Sequence, residues 1–249
     1  MRASDERAAL SRRAVAEALG TGFLLMAVVG SGIMAERLAA GNFALALLAN
    51  SIATGAALVA LILAFADISG AHFNPVVSVV EAIRGGITWT DASGYTVAQM
   101  VGAFGGVAAA HAMFGLPLFF ASHHVRSGSG MLWSEFLATF GLLTVILGCA
   151  QKRPSAIPYA VGGYIAAAYW FTASTSFANP AVTLARTVSD TFAGIRPADA
   201  PAFIVAQLLG AAAAAFCFRW LSAERRMEKG EILHLGSADV SRSANEAID

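Results

Sequence analysis

The sequence predicts an all-α membrane protein with six transmembrane helices and two half-helices in an inverted repeat. Three observations carry that prediction. The chain is 57% hydrophobic and only 13% charged, against about 25% charged in a soluble domain. Its charges interrupt six long apolar runs, and a duplicated pattern relates its two halves.

The runs fall at 14–36, 43–67, 94–116, 131–150, 156–174 and 201–222. Each is close to the length of about 20 residues that a helix needs to cross a hydrocarbon core. The first follows Arg12 and Arg13, as a secretory signal would. It is long, however, contains Glu17, and has no small-residue cleavage site before Glu36 and Arg37. The expected organisation is a short N-terminus (1–13), a membrane domain (14–222, with repeats of about 14–116 and 131–222), and a polar tail (223–249) expected to be flexible.

The Lys/Arg distribution sets the expected orientation. Arg2, Arg7, Arg12, Arg13, Arg84, Lys152, Arg153, Arg219, Arg225, Arg226, Lys229 and Arg242 share the side of the termini. Arg37, Arg126, Arg186 and Arg196 lie on the other. Positive residues favour the cytoplasm, so both termini are expected there, in a bacterial inner membrane. The net charge of zero hides this polarity and gives no reason to expect a nucleic-acid partner. Cys149 and Cys217 sit in no outside loop, which argues against a structural disulfide.

The repeat emerges when the second half is laid on the first. Ala16-Glu17-Ala18-Leu19-Gly20-Thr21 answers Ser134-Glu135-Phe136-Leu137-Ala138-Thr139, and Val97-Ala98-Gln99 answers Val205-Ala206-Gln207. Between them, Asn74-Pro75-Val76-Val77-Ser78 answers Asn179-Pro180-Ala181-Val182-Thr183. Each half has three crossings, an odd number, so the halves enter the membrane from opposite faces.

Each Asn-Pro pair follows the second crossing of its half and opens a run too short to span. Asn74 to Arg84 is about 16 Å of helix, roughly half a hydrocarbon core; Asn179 to Val188 gives a matching segment. Asn is a favoured N-cap and Pro suits the first helical turn. Two half-helices should thus meet near the midplane with their positive ends facing each other. The irregular backbone before them, 67–73 and 172–178, is tolerable at that depth only along a wet cavity. Asn side chains would donate to a passing solute oxygen, and a cation would meet two positive dipole ends. That chemistry suits passive movement of small uncharged solutes across a lipid bilayer, without catalysis.

The run Ser69-Gly70-Ala71-His72-Phe73-Asn74-Pro75, the run Phe177-Ala178-Asn179-Pro180-Ala181, and the buried Glu17 and Glu135 resemble the signature of the major intrinsic protein family, the aquaporins and aquaglyceroporins. The resemblance covers about residues 12–223. It implies an aquaporin-like fold, a homotetramer with one pore per subunit, and a scaffolding role in which Glu17 and Glu135 accept backbone N–H groups of the half-helix loops.

Two departures from the family pattern bear on selectivity. The first box reads Asn-Pro-Val, and Val182 stands where an arginine usually follows the second Asn-Pro-Ala. Counting by family spacing gives a filter of Thr54, Ala167, Ser176 and Val182, with Ala166 and Ala168 as alternatives on the fifth crossing. This set implies a wide, arginine-free filter for glycerol-like solutes. It is similar to bacterial members associated with metalloids such as arsenite and methylated arsenicals. Arg186, seven residues after Asn179, reads either as a partial substitute at the outer vestibule or as a snorkelling or loop-pairing arginine. His72 reads either as an inner-pore residue or as a loop-bonding histidine. The adjacent His123 and His124 lack further ligands, and neither a metal nor a cofactor is expected.

A secondary transporter with inverted repeats is the alternative. It needs titratable groups at midplane, and beyond the two glutamates few are available.

Overall fold

The computed structural model describes residues 8–222. Among them are eight α-helices and no β-strand; the expected flexible tail and the first seven residues lie outside the described residues. The helices are α1 (Leu10–Leu38), α2 (Phe43–Ser69), α3 (Pro75–Ile83), α4 (Trp89–Met113), α5 (Ser129–Lys152), α6 (Ile157–Phe171), α7 (Pro180–Ala185) and α8 (Ala200–Leu221). Six are the crossings; α3 and α7 are the half-helices.

Four helices, α1, α2, α5 and the segment Pro197–Leu221, are long and apolar enough to cross a membrane by length and composition alone. The other two crossings deviate for identifiable reasons. Helix α4 buries the polar Gln99 and His111, which lowers its mean hydropathy. Helix α6 has 15 residues, about 22 Å, and is extended by a 3₁₀ turn at Pro154–Ala156. Helix α4 also begins five residues before the expected start at 94. Thr88 accepts from the Asp91 N–H at 3.0 Å while the Asp91 carboxylate accepts from the Thr88 N–H at 3.4 Å, a capping box that fixes the earlier start.

The inverted repeat is visible in the packing. Helix α1 packs on α4 and α2, and α5 packs on α8 and α6, while α2 meets α6 at the junction of the halves. Glycine permits the closest approaches. A Cβ on Gly102 of α4 would lie 2.1 Å from the Ala18 carbonyl oxygen of α1, and one on Gly210 of α8 would lie 2.3 Å from that of Phe136 of α5. These two contacts occupy equivalent places in the two halves, so the same lack of a side chain is required twice. Outward faces carry exposed apolar side chains, including Val101, Leu209, Phe216 and Trp220, as a lipid-facing surface does.

Candidate functional site

Two short connections approach the centre, 70–73 before α3 and 172–179 before α7. The sequence suggests that irregular backbone begins at 67, but Asp67 to Ser69 remain helical. Within the connections, Ala71, Phe73, Thr175, Ser176 and Ala178 have φ of 51°, 50°, 62°, 52° and 49°. This left-handed conformation disfavours side-chain-bearing residues by about 1–2 kcal/mol each. A buried carboxylate stabilises each connection. Glu17 accepts from the Ser69 hydroxyl (2.6 Å), the His72 N–H (2.9 Å), the Phe73 N–H (2.6 Å) and the Gln99 amide (2.8 Å). Glu135 accepts from the Phe177 and Ala178 N–H groups (both 2.9 Å) and the Gln207 amide (2.6 Å). Both glutamates are fully buried.

Each half-helix starts at its asparagine. The Asn74 side-chain oxygen accepts from the Val76 N–H at 3.1 Å, and that of Asn179 from the N–H groups of Ala181 at 3.0 Å and Val182 at 3.3 Å. Their amide nitrogens cross between the halves: Asn74 donates to the Ala178 carbonyl and Asn179 to the Phe73 carbonyl, both at 2.8 Å. A side-chain amide has two N–H groups. One from each Asn thus ties the halves together, and the second has no protein partner among the described residues, a division that the sequence does not reveal. Pro75, Val76, Pro180 and Ala181 are buried in the first turns. Helix α7 has only six residues before the chain tightens into a 3₁₀ turn at Arg186–Val188, so it is shorter than expected.

A cavity of about 730 Å³ runs past both asparagines. Its walls are helical stripes at four-residue spacing: Thr54, Leu58, Ile62 and Ala66 on α2, and Ile157, Val161, Ile165 and Tyr169 on α6. This geometry corrects the placement of Ala167. Two residues from both Ile165 and Tyr169, it points about 200° away around the helix, and it is exposed on the outer face. Neither Ala166 nor Ala168 lines the cavity. Tyr169 does, and its hydroxyl lies 3.2 Å from the Thr54 hydroxyl. Ser176 and Val182 also line the cavity, and the Ser176 Oγ has no hydrogen-bond partner among the described residues. With Tyr169 on the wall and Ala167 off it, these cavity-lining side chains are bulkier than the four that family spacing gives.

The cavity's two ends differ. His72 lines one, with Nδ1 3.0 Å from the Ser78 hydroxyl and its ring edge-on to Tyr95 at 5.3 Å. His72 thus lines the cavity while its ring bonds a hydroxyl on α3. Arg186 lines the other. It is 2% exposed, its Nε donates to the Ala193 carbonyl, and its guanidinium lies over the Phe177 ring 3.4 Å from the centroid. It is turned inward and does not snorkel, and its bond to Ala193 pairs it with the outer loop. On the same ring, at 5.0 Å, lies Arg126, whose role the sequence reading misses. Arg126 is buried, with Nε donating to the Gly194 carbonyl at 2.8 Å, one terminal nitrogen to the Ser174 carbonyl at 3.1 Å and the other to the Phe192 carbonyl at 3.4 Å. His123 pairs with Asp190 at 3.0 Å in the exposed loop, and that residue's backbone N–H and side chain hold the Asp190 carboxyl below the usual carboxylate range.

The profile of the major intrinsic protein family matches residues 5–173 and 151–247. The chain belongs to that family. It is 56% identical over 212 residues to aquaglyceroporin AqpS of Rhizobium meliloti (strain 1021), covering 85% of this chain and 91% of that protein. It is 30% identical over 233 residues to aquaporin Z of Bradyrhizobium diazoefficiens, covering 86% and 94%. The X-ray structure of the aquaglyceroporin from Plasmodium falciparum shares the fold, with a TM-score of 0.64 at 20% identity over 86% of this chain and 96% of that one. Like its relatives, this major intrinsic protein is a multi-pass membrane channel that passes water and small solutes passively, and it is not an enzyme.

Proposed function

We propose that this channel favours glycerol-sized polyols and neutral metalloid acids of the arsenite and methylated-arsenical kind, through a filter of Thr54, Tyr169, Ser176 and Val182. The supporting observation is the chemistry of those positions on the cavity wall: the hydroxyls of Thr54 and Tyr169 and the isopropyl group of Val182, with Ser176 lining the wall while its own Oγ is sealed. A polyol presents hydroxyls on one edge and hydrocarbon on the other. The hydroxyl wall can replace lost water hydrogen bonds, and Val182 accommodates the carbon edge. No arginine stands at the third position after Asn179 to fill the lumen. Arg186 contributes positive charge from the vestibule, and His72 lines the opposite mouth. Asn74 and Asn179 present their free N–H groups to the passing solute.

The proposal includes a homotetramer in a bacterial inner membrane with both termini cytoplasmic, on the Lys/Arg asymmetry. The name of the R. meliloti relative supports the aquaglyceroporin reading. Stopped-flow re-swelling of proteoliposomes with water, glycerol, larger polyols and arsenous acid tests it. Glycerol and arsenous acid should enter with no ion gradient and stop at equal concentration. Water flux without polyol flux would overturn the filter reading, and gradient-driven accumulation would establish a coupled transporter instead.

A further inference from the structure

Arg126 and Arg186 flank one aromatic ring, yet their hydrogen bonding differs. Arg126 has all three guanidinium nitrogens bonded and its five N–H groups meet four acceptors, the carbonyls of Gly194, Ser174 and Phe192 and the Thr175 hydroxyl, so it is a loop fastener. Arg186 is as deeply buried, but only its Nε has a partner among the described residues, the Ala193 carbonyl. Its terminal nitrogens are not among the sealed, unpartnered polar atoms, and the residue lines the cavity. The stack on Phe177 occupies the face of the guanidinium. What remains is its edge, a planar fork of N–H donors suited to the paired oxygens of an oxyanion.

The charge balance points the same way. Among the described residues neither arginine forms an ion pair with a carboxylate. Glu135 already accepts from two backbone N–H groups and Gln207. Asp190 and Asp199 are engaged with His123 and Arg196. Two guanidinium groups beside one ring repel each other, and an anion at the open edge relieves that repulsion.

We infer that the Arg186 edge of the vestibule is a binding site for a small planar monovalent oxyanion, of the nitrate, formate or bicarbonate class, whose occupancy slows neutral-solute flux. The inference rests on the reading of this cavity as the solute path. The anion stops here because the next wall, Thr54, Tyr169, Ser176 and Val182, offers hydroxyls and hydrocarbon but no charge. Bound nitrate then stands at the mouth of the path as a competitive plug.

The test is glycerol permeability of proteoliposomes titrated with potassium nitrate against potassium gluconate at constant ionic strength, each variant normalised to its own flux without nitrate. Wild type should show a saturable, several-fold slowing with nitrate only. Arg186→Gln should lose that dependence. Arg186→Lys, which keeps the charge but not the fork, should show a weaker one. Absence of a nitrate effect in wild type overturns the site, as does equal inhibition in Arg186→Gln. If the Gln variant does not fold, equal inhibition in Arg186→Lys overturns it. If wild type conducts no glycerol, the permeant reading fails separately. The site is then decided by whether nitrate raises the melting temperature of the purified wild type above that in gluconate; no difference overturns it.

Discussion

The two repeats share a frame and differ at their mouths. In the first, Glu17 and Gln99 hold the connection before α3, and Ser78 sits beside Gln99 at 3.1 Å. In the second, Glu135, Gln207 and Thr183 make the same arrangement, with a Gln207–Thr183 distance of 2.9 Å. His72 against Tyr95 at 5.3 Å corresponds to Phe177 against Phe203 at 5.4 Å, both edge-on. There the likeness stops. The first mouth carries an imidazole and, at Glu81, an acid paired with Arg84 at 3.3 Å. At the matching positions the second carries a hydrocarbon ring and Arg186. Residues that hold backbone in an unfavourable conformation have few substitutes, and so they recur in both halves. Those facing the solute on either side have no such constraint, and so they diverge.

The frame can be broken most severely at its carboxylates. Glu17→Ala and Glu135→Ala should each abolish folded protein, since hydrogen bonds to a charged group contribute about 1.5–3 kcal/mol apiece and the left-handed residues lose their support. Yield of monodisperse protein in detergent measures this. Wild-type yield from either variant would show that the two frames are not equivalent.

The asparagines come next. Asn74→Ala and Asn179→Ala each lose a helix cap, about 1 kcal/mol, and a crossing hydrogen bond, about 1 kcal/mol more. Melting temperature and water permeability should fall by similar amounts in both. A clear drop in one variant alone would mean that the halves are fastened from one side only.

Val182→Arg sharpens the difference at the mouths. Its long charged side chain would enter the filter close to Arg186, and the ratio of glycerol to water permeability should fall roughly tenfold, which is about 1.4 kcal/mol on the barrier. An unchanged ratio in intact protein would remove Val182 from the filter.

Asp190→Asn should have the smallest effect. The Asp190 carboxyl is held low by His123, so its contribution to stability is present above the ordinary carboxylate range and lost as pH falls through its own lowered value. The pair is largely exposed, so the melting temperature should shift by no more than a degree or two, and less in high salt. A large shift would make this loop part of the frame.

What was legible in the sequence divides along the same line. The six crossings, both half-helix caps and the two glutamates could be found because Asn, Pro and a buried Glu have local reasons to stand where they do. The crossing hydrogen bonds were not legible, because Phe73 and Ala178 take part through their carbonyls, which every residue has. Tyr169 is hidden from a count of twelve residues back from Asn179, because that count assumes a family spacing through the 172–178 connection, whereas the four-residue stripe Ile157, Val161, Ile165, Tyr169 marks the cavity face of α6 directly. Arg126 shows in the sequence only as a charge, since nothing local marks a guanidinium that bonds three distant carbonyls.

The exchange of hydrogen bonds between Asn74 and Ala178 and between Asn179 and Phe73 has a consequence for biosynthesis. When the first repeat leaves the ribosome, its Asn74 amide and Phe73 carbonyl have no partners, because the residues that satisfy them are still untranslated. Unbonded polar groups at that depth are unfavourable, so although Glu17 and Gln99 already hold the connection before α3, its docking is completed only when the second repeat supplies the Ala178 carbonyl and the Asn179 amide.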